Sequence, residues 1–195
     1  MQKKSRAERR RETLRTRDTK LFTEKIRPFL SFKHPVTRFC LVFAALLIIF
    51  SVFMFQKSVE RHFINPLTGL IASQAAWLLK AIGMKVAASG ISIAGEGFSV
   101  EILGNCNAIF EIGLYLCAVI AFPAMLKEKV VGGILGTMFI YGLNLMRVVF
   151  LFLVGIYAPH YFEESHVYVS QTIFIVVVAF FWLFWTGKWV KGSVQ

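Results

Sequence analysis

Residues 130–157 read VVGGILGTMFIYGLNLMRVVFLFLVGIY, an apolar stretch of 28 residues whose one formal charge is Arg147. A helix crosses a bilayer with about 20 such residues, so this segment is long enough to span. A guanidinium placed there costs about 3 kcal/mol even on insertion scales, so it has a function or a neutralising partner. Asn144 precedes Arg147 by three residues, which puts both on one helix face, where the amide can accept from the guanidinium. Gly132 and Gly136 make a small-xxx-small pair suited to close helix packing.

The flanking sequence has the same texture. Residues 106–126 are apolar apart from Glu111, with a bend expected at Pro123, and Lys127-Glu128-Lys129 are expected to form a tight polar turn. Residues 39–55 carry no charge, and 169–187 close the set. Residues 63–84 contain Asn65, Pro66, Ser73, Gln74 and Lys80, which makes them a poor span and a better amphipathic helix. In 85–104, apolar residues alternate at Ile91 and Ile93, then at Phe98, Val100 and Ile102, with Gly95-Glu96-Gly97 between them, so a short β-hairpin is expected. A polar loop, 158–168, separates the third and fourth spans.

The composition agrees. The chain has 195 residues, 56% of them hydrophobic and 17% charged, with twenty phenylalanines and a net charge of +11. A soluble domain of this length could not hide so much apolar surface. A cytosolic enzyme, a disordered tail and a disulfide-rich secreted module are excluded. The expected fold is an all-α polytopic membrane protein with about four transmembrane helices, an amphipathic helix and a short β-hairpin on the outer face.

Charge sets the expected orientation. Residues 1–40 hold thirteen Lys/Arg against four acids, +9 of the total. With four spans, this arm, Lys127/Lys129 and Lys188/Lys191 all face the cytoplasm, as the positive-inside rule favours; a fifth span over 63–84 would put the later lysines outside. The expected organisation is a basic cytoplasmic arm over 1–38 without order of its own, a membrane-embedded domain over 39–187 and a short cytoplasmic tail over 188–195. The arm is expected to lie along anionic lipid headgroups rather than on nucleic acid, because its first twenty positions lack interleaved aromatics and any groove-reading motif. Phe55-Gln56-Lys57 offers no small-x-small cleavage site, so the first span is expected to stay as an anchor.

Cys40, Cys106 and Cys117 form no disulfide framework and no paired metal-binding motif. Cys106 differs from the others by its setting, Gly104-Asn105-Cys106-Asn107, where the hairpin ends and a helix begins. Backbone N–H groups and the helix dipole at such a place favour a thiolate, and Arg147 would favour it further. His166, three residues before the last span, is a candidate general base at the same face, with His160 a competitor. Glu111 and Arg147 could instead pair structurally, since buried charges normally do.

These residues resemble the exosortase/archaeosortase family of membrane cysteine transpeptidases. The likeness lies in an outer strand pair leading into the cysteine (Gly104-Asn105-Cys106-Asn107), Asn-x-x-Arg in the next span (Asn144, Arg147) and a histidine before the last (His166). The approach from Leu78 to Val86, followed by Gly90-Ile91, is also similar, and the likeness covers residues 63–187. The short length is similar to the single-domain exosortases, the H-type subfamily among them. Many members have Cys-Ser-Gly where this chain has Cys106-Asn107-Ala108.

The resemblance implies a cysteine transpeptidase or peptidase of the cell inner membrane. Its substrates would be exported proteins carrying a C-terminal sorting signal: a recognition motif, a transmembrane helix and a basic cluster. Cys106 would be the nucleophile, Arg147 the oxyanion stabiliser and His166 the general base and acid. Asn144 would orient Arg147, and Glu111 would be a buried partner rather than a catalyst. No metal or organic cofactor is implied. The alternative is a non-catalytic membrane scaffold in which Arg147 and Glu111 form a structural pair; a small transporter lacks the polar path and internal repeat it would need. The only Asp in the chain is Asp18, in the basic arm, which excludes a paired-aspartate mechanism.

Overall fold

A computed structural model of the chain describes residues 35–102, 106–166, 171–188 and 190. The basic arm up to residue 34, Gly104 and Asn105 ahead of the cysteine, the last residues of the 158–168 loop and most of the 188–195 tail lie outside the described residues.

Five helices carry the fold: α1 (Pro35–Met54), α2 (Asn65–Ala81), α3 (Ile109–Ala121), α4 (Leu126–Tyr157) and α5 (Gln171–Lys188). Among the described residues α1 and α4 are long and apolar enough to cross a bilayer, while α3 and α5 are shorter apolar helices. The expected span over 106–126 is thus only a 13-residue helix. It stops at Ala121 because Phe122 turns to extended backbone ahead of Pro123, which disfavours helix in the residue before it.

The turn into α4 is Phe122–Met125, not Lys127-Glu128-Lys129 as expected. Those three polar residues form the first turn of α4, and Glu128 and Lys129 serve as caps. Met125 N–H donates to Glu128 Oε2 at 3.0 Å, and Lys129 Nζ donates to the Ile120 carbonyl at 2.7 Å, closing the end of α3.

The amphipathic reading of 63–84 matches α2, entered through a π-helical turn at Glu60–Ile64. Thr68, Ile71, Ala72, Ala75, Ala76 and Leu79 form its buried face, spaced three and four apart, while Leu70 and Trp77 are exposed. The hairpin is also present, and it is part of a larger unit. β1 (Val86–Ser89), β2 (Ser92–Gly95) and β3 (Phe98–Glu101) form an antiparallel sheet in sequence order, with Val86 opposite Gly95 and Gly95 opposite Phe98. The two central residues of the β2–β3 turn, Glu96 and Gly97, both have positive φ (51° and 79°), the backbone of a type I′ hairpin. β1 was not expected, because Val86-Ala87-Ala88-Ser89 carries almost no β-branched or aromatic signal.

α4 separates two cores. On one side Ile71 and Leu79 of α2, Ile93 and Ile102 of the sheet region, Cys106 and Phe152 pack together. On the other, Tyr115 and Val119 of α3, Ile140, and Phe174 and Trp185 of α5 do so. α1 has no fully buried residue and lies along α3, its Phe50 beside Phe110 and over Gly113.

Gly132 and Gly136 admit neighbours to the α4 backbone. A Cβ at Gly132 would collide with the Trp185 ring, and one at Gly136 with the Tyr115 ring, whose hydroxyl donates to the Gly132 carbonyl at 2.9 Å. Gly136→Leu is therefore expected to destabilise the protein by about 1–3 kcal/mol through overpacking. Gly142→Ala, where a Cβ meets nothing within 4 Å, should leave stability equal or raise it by up to about 1 kcal/mol. Thermal unfolding of the two variants in detergent checks the contrast.

Candidate active site

Helix lengths explain why Cys106 and Arg147 can meet. From the shared turn at 122–125, α4 rises about 30 Å before reaching Arg147, at 1.5 Å per residue. α3 rises about 20 Å over its whole length by the same measure, and the non-helical residues 106–108 add the rest. The cysteine thus lies within the bundle, level with a residue ten positions before the end of α4. Arg147 Nη2 is 4.0 Å from Cys106 Sγ, and the guanidinium carbon sits over the Phe174 ring of α5 at 5.5 Å. At 4.0 Å the cation acts on the sulfur mainly through its field.

His166 approaches from the other side. Its Nε2 is 2.8 Å from Cys106 Sγ. A train of rings fixes that approach. Phe152 of α4 meets Phe98 of β3 edge-on (5.6 Å), Phe98 meets Phe162 edge-on (5.5 Å), and the Phe162 and His166 rings lie parallel, centroids 6.1 Å apart. Gly155 leaves the space that the Phe98 ring occupies. His160 is exposed against Tyr161 and does not share this seat. The strands thus do more than lead into the cysteine, because β3 supplies a ring that stacks toward the histidine.

The turn carrying Cys106 has its own bonds. Asn107 Oδ1 accepts from Ile109 N–H at 3.1 Å, and Asn107 Nδ2 donates to Thr68 Oγ1 of α2 at 3.0 Å. The Thr68 hydroxyl donates in turn to the Ile64 carbonyl at 2.9 Å. Sequence reasoning missed Thr68 altogether; the signal available was a hydroxyl on the otherwise apolar buried face of α2.

Two expectations are corrected here. The first concerns the thiol. The N-cap of α3 is Ala108, and the Asn107 amide takes up Ile109 N–H, one of the free donors at the helix start. Burial pushes the Cys106 thiol above its ordinary value, the Arg147 guanidinium pulls it back down, and the Glu111 carboxylate adds to the rise. The net direction is upward.

The second concerns the partners of Arg147. Asn144 is 1% exposed, yet neither atom of its amide has a hydrogen-bond partner among the described residues, so the expected bond to the guanidinium is not formed. Glu111 lines a cavity of about 320 Å³ between α1, α3 and α5, walled by Phe39, Phe43, Tyr115 and Trp182, and its carboxylate reaches the site through its field.

A thiol, an imidazole and a guanidinium converging at one end of a small helical membrane bundle define a candidate thiol-dependent enzyme. The sequence matches the transmembrane exosortase family (Exosortase_EpsH) over residues 32–189, and the chain belongs to that family. Neither a curated protein nor a solved structure matches it. The family is that of a membrane transpeptidase acting on exported proteins with C-terminal sorting signals, and the chain is a membrane protein.

The residue two positions after Cys106 has an unusual backbone. Ala108 is fully buried with φ +56°, in the left-handed region that favours glycine. That conformation costs a non-glycine residue about 1–2 kcal/mol. Ala108→Gly gives this back while losing one buried methyl worth about 0.8 kcal/mol, so stability should stay within about 1 kcal/mol of wild type. Ala108→Val, β-branched and larger, should cost more than about 2 kcal/mol. Unfolding of both variants in detergent checks the prediction.

Proposed function

We propose that this protein is a cysteine transpeptidase or peptidase that cleaves C-terminal sorting signals of exported proteins, with Cys106 as nucleophile, His166 as general base and acid, and Arg147 as oxyanion stabiliser. The observation that carries the reading is the 2.8 Å approach of His166 Nε2 to Cys106 Sγ with Arg147 Nη2 at 4.0 Å from the same sulfur.

As Sγ attacks the substrate carbonyl carbon, His166 takes the thiol proton and the carbonyl oxygen gains the negative charge. Arg147, already directed at this point, balances that charge where little water competes. Collapse of the tetrahedral intermediate breaks the C–N bond; His166 returns the proton to the leaving amine, and a thioester to Cys106 remains. An amine acceptor or water then attacks the thioester and regenerates the thiol. Glu111 tunes the field without touching the reacting atoms.

The membrane reading follows from charge. Arg38, Lys127, Lys129 and Lys188 lie at the end of the bundle opposite Cys106. With these in the cytoplasm, α1, α3, α4 and α5 are four spans, the N-terminal arm is cytoplasmic against anionic lipid, and the site faces outward. The inner membrane of a bacterial cell fits this arrangement.

Cys106→Ala, Arg147→Ala and His166→Ala are each expected to lower processing at least about 100-fold while the protein still inserts. The check is mass spectrometry of C-terminal peptides from membranes of cells with wild-type or variant protein. Proteins that keep an apolar, basic-ended tail only with the variants support the reading. Normal processing by Cys106→Ala, at equal protein level, overturns it.

Because His166 Nε2 lies 2.8 Å from Cys106 Sγ, the imidazole should control the reactivity of the thiol. The rate of Cys106 alkylation rises with pH as thiolate forms, and in His166→Ala that rise should move to higher pH, with the rate near pH 7 falling about tenfold or more. Peptide-resolved alkylation from pH 6 to 10 measures it; coincident profiles would remove His166 from the role.

A further inference from the structure

Four polar or charged side chains are buried in the described bundle, Thr68, Asn107, Asn144 and Arg147. Two of them, Asn107 and Thr68, are bonded to each other and to backbone in a chain with one direction. Asn107 Oδ1 is committed to Ile109 N–H, which turns Nδ2 toward Thr68; the single Thr68 hydroxyl proton is committed to Ile64 O, which turns its lone pairs toward Asn107. Flipping the amide would set N–H against N–H at one end, so the chain fixes the plane of the Asn107 side chain.

Capping α3 requires only the oxygen of that amide. The nitrogen reaches 39 residues back in sequence to α2. Its cost is a hydroxyl on an apolar helix face, where Val would pack as well and expose no polar group. The bond therefore does something that a helix cap does not. It ties the residue after the nucleophile to a helix packed in the same core as Cys106, and so sets where the 106–108 turn points relative to His166 and Arg147.

We propose that Asn107 and Thr68 are positioning residues for Cys106, holding its sulfur in line with His166 Nε2 and Arg147 through the Asn107–Thr68 hydrogen bond. The proposal rests on Cys106 being the nucleophile. Neither residue touches the reacting atoms. Losing the bond lets the turn rotate, lengthens the sulfur–imidazole contact and shifts thiolate formation to higher pH.

The test uses the full chain in detergent, with Cys106 alkylation by iodoacetamide followed by peptide mass spectrometry from pH 6 to 10, so that Cys40 and Cys117 are read separately. Thr68→Val keeps shape and removes the hydroxyl; Thr68→Ser keeps the hydroxyl. The expected result for Thr68→Val is a half-reaction pH about one unit higher and a rate near pH 7 about tenfold lower, since one unit is one decade of thiolate. Thr68→Ser is expected within about threefold of wild type, and Asn107→Ala should move in the direction of Thr68→Val. A Thr68→Val protein that unfolds at lower temperature but keeps the wild-type pH profile has lost only packing, and overturns the proposal; so does a Thr68→Ser profile shifted as far as that of Thr68→Val. His166→Ala separates this from the parent reading. If its profile matches wild type, the thiol–imidazole pair itself fails; if it shifts while Thr68→Val does not, only the positioning role fails.

Discussion

The costliest group in the bundle is the Arg147 guanidinium, 7% exposed on an apolar helix ten residues before its end. Everything around the site is arranged about that charge. α3 ends its rise at the right height to bring the Cys106 turn beside it, α5 lays the Phe174 ring under it, and Glu111 acts on the same site through its field from the cavity between α1, α3 and α5. On the proposed chemistry, a cation held beside the sulfur gains most where the oxyanion develops, so Arg147 acts more strongly in the transition state than in the ground state.

The histidine is held by a different kind of force. His166 follows a short 3₁₀ turn at Pro159–Tyr161 and one helical turn at Phe162–Glu164. Its place comes from stacking, through Phe162 and Phe98 down to Phe152 of α4. Aromatic pairs of this sort are worth about 0.5–1.5 kcal/mol each beyond their burial, and they restrict ring orientation as well as position. The small sheet therefore belongs to the site. β3 carries Phe98, the β2–β3 turn places it, and Gly155 makes room for it.

How much of this could be read from the sequence depended on the range of the interactions. Long apolar runs gave α1 and α4, and the three-four spacing of Ile71, Ala72, Ala75, Ala76 and Leu79 gave α2, because those signals are local. Gly97 in the hairpin turn was equally visible. β1 was hidden because its alanines pair through backbone alone, and Lys127-Glu128-Lys129 misled because residues that cap helices look the same as residues that make turns. Cys106, Arg147 and His166 could be singled out by type and order. The Thr68–Asn107 bond, the unmade Asn144–Arg147 bond and the ring train could not, because each depends on side-chain directions set by packing between segments tens of residues apart.

Thiol burial is where local and tertiary reasoning diverged most. A cysteine before a helix, near a cation, argues for a thiolate; the folded chain gives that helix end to Asn107 and buries the sulfur, and desolvation outweighs the field of Arg147. The two arrangements imply different chemistry. A standing thiolate beside a guanidinium would be an ion pair, stable at rest and costly to break on attack. A neutral thiol against an imidazole creates charge only as the new bond forms, with the proton passing to His166 while the negative charge moves to the carbonyl oxygen. On the proposed chemistry, where a buried charge is costly even when paired, the second arrangement is the less costly route to the same thioester.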